Sequence, residues 1–183
     1  MNKKSEASST IRDMKLEINR IINNSNYQDL NVYHEIGYSY GIYSVNSESL
    51  IGEIYNLLGV TNIANSEEDP YGGGYPALTE EMVIESDPDF IVVGHSDYLN
   101  KDLSIRDGWG DISAVQNSRV VFLDDTLASN WGTTTLQLVE VLAATFEESV
   151  ETNQYSDYLL LVSLLFLVIM LLVFTRDSSK VKT

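Results

Sequence analysis

The chain has 183 residues, room for one compact domain with small appendages, and its 44% hydrophobic residues suffice for a packed core. A formal net charge of −16 excludes nucleic acid and an anionic lipid surface as partners of the domain. Cysteine is absent, which excludes disulfides, thiolate metal sites and cysteine nucleophiles.

Residues 1–9 are polar and are read as a disordered N-terminus. Thr10 can cap a helix, with Asp13 completing a capping-box pattern. Ile11, Met14, Ile18, Ile21 and Ile22 then recur at helical spacing, which predicts an amphipathic helix over 10–24. Its single apolar stripe needs a surface to pack on.

From Asn31 strands and helices alternate. Val32, His34 and Ile36 alternate as in a strand that Gly37 ends, and Leu50, Ile51, Ile54, Leu57 and Leu58 form a helical face stopped by Gly59. Residues 65–77, with three consecutive glycines at 72–74, read as a loop. Thr79 caps the next helix, and Glu80 and Glu81 in its first turn suit the helix dipole. Asp87-Pro88 ends that helix, and Phe90 to Val93 is a continuous apolar run of the kind found in strands buried on both faces. Arg119 to Leu123 is the last predicted strand, and Leu136, Val139, Leu142, Ala143 and Phe146 mark the last helix before residue 148. Strands separated by helices predict a three-layer α/β domain with a mainly parallel central sheet, spanning residues 25–148.

A linker over 149–157 leads to Tyr158–Phe174, an apolar run in which only Ser163 is polar. Its length, with Tyr155 and Tyr158 before it and Arg176 after it, predicts one transmembrane helix. Net charge is −18 before this run and +2 after it. By the positive-inside bias the tail 175–183 belongs in the cytoplasm and the acidic domain outside.

Ligands of open α/β sheets sit beyond the carboxyl ends of the strands. That rule selects the loops after Ile36, Ile63, Val93 and Leu123, which hold Tyr38, Tyr40, Tyr43, Tyr71, Tyr75, Tyr98 and Trp131. An aromatic rim suits a large, flat, partly apolar ligand. His34 reads as a core histidine. His95, just past the Val93 strand end, is placed to reach a ligand or metal, although neither histidine has a partner at metal-ligand spacing. Gly-Trp-Gly at 108–110 reads as a wedge that carries Trp109 into the core. No cofactor is predicted, and no enzyme signature is present: the glycines at 72–74 lack the Gly-Lys-Ser/Thr ending of a phosphate loop, and no G-x-S-x-G elbow occurs.

Five blocks in order resemble the C-terminal lobe of class III periplasmic binding proteins, the family that binds cobalamin, haem and iron-siderophores. They are the helix before Asn31, which resembles the joining helix between that family's two lobes; "NVYHEIG"; "IGEIYNLLGVTNIA", with Val60 in place of a second glycine; "YPALTEEMVIESDPDFIVV"; and "RDGWGDISAVQNSRVVFLDDTLAS". Together they cover roughly residues 11–148. The resemblance implies a substrate-binding component of an ABC importer for a metal chelate, with an ABC permease as partner and no catalysis. It places Tyr75 where cobalamin binders stack a Trp on their ligand, and Tyr40 and Tyr43 in the other aromatic contact loop. Thr126, Asn130 and Trp131 fall in the loop after the last strand, where the family often carries Arg and Pro at the positions of Asn130 and Trp131. Glu81, with Glu80 beside it, falls where the family docks a glutamate on the permease's arginines.

The family's cleft lies between two lobes, so the chain is expected to be a fragment or truncated form that lacks the first lobe and secretion signal. A tail-anchored interaction protein facing the cytoplasm, and a membrane-tethered hydrolase, are the competing expectations.

Overall fold

The structure is a computed structural model that describes residues 3–25, 27–96, 101–129, 132–148 and 158–165. The chain divides into two units, Met1–Ala143 and Ala144–Thr183. In the first, helix α1 (Lys3–Asn24) is followed by β1 (Asn31–Glu35), β2 (Ile42–Tyr43), α2 (Leu50–Leu58), β3 (Thr61–Asn62), β4 (Ala77–Leu78), α3 (Glu80–Ser86) and β5 (Phe90–Val93). Two 3-10 turns, Leu103–Ile105 and Trp109–Asp111, then lead to α4 (Ser113–Gln116), β6 (Val120–Phe122) and α5 (Asp125–Ser129). A further helix starts at residue 134 and runs to 148.

Four strands pair in the order β3-β1-β5-β6, all parallel, and β2 pairs antiparallel with β4 in a separate two-stranded ribbon. The parallel α/β sheet is as expected; the ribbon gives no signal in the sequence because each strand is only two residues long. All four residues of β5 are buried, so both faces of the sheet are covered. The same covering corrects the reading of β1. Alternation there predicts one polar face, yet Tyr33 and Glu35 are as fully buried as Val32 and His34. Tyr33, Ile91, Val93, Trp109 and Ile112 belong to one core cluster, so Trp109 is the wedge its flanking glycines predict.

Helix termini follow local chemistry. Ser49 Oγ accepts from the Gly52 N–H at 3.0 Å to start α2, and Gly59, at φ 80°, ends it in the left-handed conformation. Thr79 Oγ1 accepts from the Met82 N–H at 3.2 Å to start α3, as predicted. Helix α1 departs from expectation. It begins at Lys3, well ahead of Thr10, so the segment read as disordered is helical from that point. Ser8 and Thr10 donate back to the carbonyls of Lys4 and Glu6, a bond made inside a helix rather than at its cap. No residue of α1 is fully buried, and apolar grooves of about 500 and 130 Å³ lie along its Ile11–Ile18 and Ile18–Ile22 stretches.

In the second unit the described parts, residues 144–148 and 158–165, are helical. Among the described residues no helix is long and apolar enough to cross a membrane. The segment expected to span one, 158–174, lies outside the described residues from 166 onward.

Candidate ligand-binding site at the carboxyl edge of the sheet

The chain leaves β1 towards β3 on one side of the sheet and returns to β5 on the other. The switch point of this open sheet is therefore the gap between the carboxyl ends of β1 and β5, where a crevice for ligand is expected. Here it is filled by charge. Glu35, the last residue of β1, has no solvent exposure and accepts from Arg106 Nη1 at 2.6 Å and Nη2 at 3.0 Å. His95 Nε2 lies 2.8 Å from Glu35 Oε1, and the Tyr33 hydroxyl donates to Oε2 at 3.2 Å.

Burial alone would push the Glu35 carboxyl up. Hydrogen bonds from His95 and Arg106, together with their charges, outweigh it and hold the group below the usual carboxylate range. Tyr33 moves the other way: burial first, then the Glu35 charge, pushes its phenol well up. His34 is fully buried, and that burial, reinforced by His95, pulls it down to about 3; its Nδ1 lies 2.7 Å from the Tyr55 hydroxyl. Burial also pushes the Tyr55 phenol well up, so both partners of this hydrogen bond are neutral. His34 is thus the core histidine expected. His95 faces the Glu35 carboxylate, and among the described residues no three His, Asp or Glu converge on a metal position.

Arg106 closes the plug from above. Its guanidinium carbon lies 3.7 Å from the centroid of Tyr38 and 4.3 Å from that of Trp109, and the two rings meet edge to face at 6.2 Å. The Tyr38 hydroxyl donates to Glu80 Oε1 at 2.9 Å. Burial, then this bond, pushes the Tyr38 phenol up.

The other tyrosines stand outside this plug. Tyr40 is 98% exposed, Tyr71 95% and Tyr43 40%, while Tyr75 is half-buried. The ribbon joins their loops, since Tyr43 is paired with Ala77, two residues past Tyr75, and the Asn46 N–H donates to the Gly74 carbonyl at 2.9 Å. Asp69 organises the third loop, accepting from the N–H groups of Tyr71 and Tyr75 at 3.0 Å each. Backbone hydrogen bonds, from Tyr75 foremost, hold its carboxyl below the usual range.

The fold therefore brings the Tyr40, Tyr43 and Tyr75 loops together. Thr126 is exposed on α5, on the segment that follows β6, and its N–H donates to Asp124 Oδ1 at 2.8 Å. Asn130, Trp131 and Tyr98 lie outside the described residues. Glu80 and Glu81 separate in character: Glu80 is half-buried and held by Tyr38, whereas Glu81 is exposed. Hydrogen bonds from its own N–H and the Thr79 hydroxyl hold the Glu81 carboxyl below the usual range. Glu35 and Arg106 were missed in the sequence. The available signal was a glutamate inside an apolar strand, which demands a buried cation.

The switch point of this parallel sheet is thus plugged by an ion pair, and the exposed tyrosines stand on the loops outside it. Comparison with known proteins carries this further. The family described as "Periplasmic binding protein" matches residues 2–127, and the chain belongs to that family. It is 28% identical over 116 residues to YvrC of Bacillus subtilis (strain 168), an uncharacterized ABC transporter substrate-binding lipoprotein; the match covers 63% of this chain and 35% of YvrC. Among solved structures, a possible iron-binding periplasmic solute-binding protein of Staphylococcus epidermidis has the same fold (TM-score 0.65, 18% identity, 79% of this chain, 56% of that one). So does the petrobactin-binding protein YclQ of Bacillus subtilis (TM-score 0.64, 16% identity, 80% of this chain, 54% of that one). The chain thus spans about a third of the curated relative and about half of these structures.

Proposed function

We propose that this chain is the second lobe of a substrate-binding component of an ABC importer, and that it presents a metal chelate of the iron-siderophore or cobalamin type to a permease without chemical conversion. The observation that carries this reading is the set of tyrosine loops at the carboxyl edge of a periplasmic-binding-protein sheet, in a chain that belongs to that family. Tyr40, Tyr43 and Tyr75 are the proposed stacking contacts, and Thr126, Asn130 and Trp131 are further proposed ligand contacts. Glu81, exposed at the start of α3, is the proposed permease contact; Glu80, engaged by Tyr38, is its neighbour and not its substitute.

Half a cleft binds weakly, because the ordering cost is set against fewer contacts. A complementary lobe is proposed to complete it, supported by the share of the relatives that the chain spans and by the exposure of Ile11 beside the larger apolar groove on α1. Anchoring by 158–174 is also proposed, with the domain outside the cell and the tail in the cytoplasm. It is supported by the apolar run itself and by the exposure of Tyr158–Leu165 on every side of the helix.

The test is titration of the chain, alone and with a complementary first lobe, with ferric hydroxamate, ferric catecholate, haem and cobalamin probes. Protein fluorescence should be quenched at lower probe concentration when both lobes are present. Absence of binding by every probe with both lobes present rejects the ligand class.

A further inference from the structure

Tyr38 stands between the two surfaces assigned above. It belongs to the loop that carries Tyr40 and Tyr43, and its hydroxyl reaches Glu80, the first residue of α3, at 2.9 Å. Its ring is packed against two neighbours. Arg106 lies 3.7 Å from its centroid, Trp109 meets its edge, and Arg106 is itself clamped by both nitrogens to the unexposed Glu35. The phenol oxygen is thus a side-chain link from the loop to α3, beside the backbone pairing of Ile42 with Leu78. Successive helix residues point about 100° apart, so holding Glu80 inward fixes where Glu81 projects.

We propose that Tyr38 is a positioning residue that ties the aromatic loop to the first turn of α3, so that occupancy at Tyr40 and Tyr43 sets the presentation of the Glu81 carboxylate. The clause about occupancy rests on the ligand and docking reading above; the tie itself does not. A single hydrogen bond of this kind shifts a local opening equilibrium by roughly fivefold, which is at the lower end of ordinary coupling between sites.

Hydrogen exchange by mass spectrometry on the full chain decides both parts. Without ligand, Tyr38→Phe keeps the ring and its stack on Arg106 but removes the hydroxyl. Exchange at residues 82–86 should rise about fivefold, while the β5 peptide stays unchanged. In a Glu80→Ala background Tyr38→Phe should add nothing, and Glu80→Gln, which keeps an acceptor, should restore the dependence on Tyr38. Unaltered exchange at 82–86 in Tyr38→Phe, or additive effects of the two substitutions, overturns the tie. A general loosening that includes β5 assigns Tyr38 to the core and overturns it too.

With the ferric hydroxamate ferrioxamine B as probe and a first lobe supplied, the wild type should gain protection at 37–43 and at 82–86, and Tyr38→Phe should gain the same at 37–43 but about fivefold less at 82–86. Protection confined to 37–43 in the wild type refutes the coupling while leaving the ligand site intact. Protection nowhere removes the ligand reading and the occupancy clause with it, and the ligand-free measurements still decide the tie.

Discussion

Replacing Arg106 with leucine isolates the energetics of the plugged switch point. The side chain supplies two charge-assisted hydrogen bonds, at 2.6 and 3.0 Å, to a carboxylate with no solvent exposure. Such bonds are worth about 1.5–3 kcal/mol each. His95 and Tyr33 stay in contact with Glu35 and recover part of the loss. The balance is about 3–5 kcal/mol, the usual cost of stranding one member of a buried pair, or roughly a 10 °C fall in melting temperature for a chain of this size. The pH dependence gives a second check. In the wild type the Glu35 carboxyl is held below its ordinary value, so its stabilisation is complete above the unfolded value and is lost only as pH falls through the folded one. Between pH 7 and 5 Glu35 therefore adds no slope. Without Arg106, burial dominates and raises the carboxyl, so acidification relieves the variant. The stability gap between the two proteins should narrow by up to about 1.4 kcal/mol per pH unit over that range. Adding Glu35→Gln to Arg106→Leu should recover about 1–2 kcal/mol. Urea melts by circular dichroism at several pH values provide all of these quantities. A cost below about 1 kcal/mol, or a gap that widens on acidification, refutes the reasoning.

His34, pulled down to about 3, is neutral when folded and charges on unfolding below pH 6.5, so stability falls towards acid pH from there. His34→Gln should flatten that slope by about 1.4 kcal/mol per unit, measured by the same melts between pH 6.5 and 5. Gly74→Ala should destabilise by about 3 kcal/mol in a thermal melt, because φ is 82° and the added carbon would sit 2.4 Å from the Ser49 nitrogen; Gly72→Ala, with open space around it, should cost only about 1 kcal/mol. Tyr40→Ala should leave the melting temperature unchanged, since the ring is 98% exposed, while weakening chelate binding by about 1–3 kcal/mol in a two-lobed protein. Glu81→Lys should abolish uptake without altering chelate affinity, assayed by transport of labelled chelate beside equilibrium titration.

The elements that were legible in the sequence are those dictated by local chemistry. Thr79 caps its helix, Gly59 ends another, and Phe90–Val93 announces a doubly covered strand. The start of α1 was misplaced because Ser and Thr carry the same hydroxyl whether they cap a helix or bond back along it. The β2–β4 ribbon was invisible because two-residue strands have no period. At the site, the tyrosine loops could be placed from strand ends alone. The Glu35–Arg106 pair could not, since its members are far apart in sequence and only the parallel order β1-β5 brings them to one edge. Which of two adjacent glutamates faces solvent was likewise decided by Tyr38, a residue forty-two positions away.

The loop organised by Asp69 has a consequence for the speed of capture. Three successive glycines at positive φ turn the chain so that the N–H groups of Tyr71 and Tyr75, on either side of them, meet one carboxylate. That carboxylate belongs to Asp69, so the loop is folded around its own negative charge before anything arrives. Its conformational entropy is then lost once, when the chain folds, and not at every encounter. Tyr71 and Tyr75 are held out from a finished frame, and a ligand meeting them has no loop to wait for. For the proposed ligand, association at that rim would be governed by collision and orientation, and residence time by how well the rings fit.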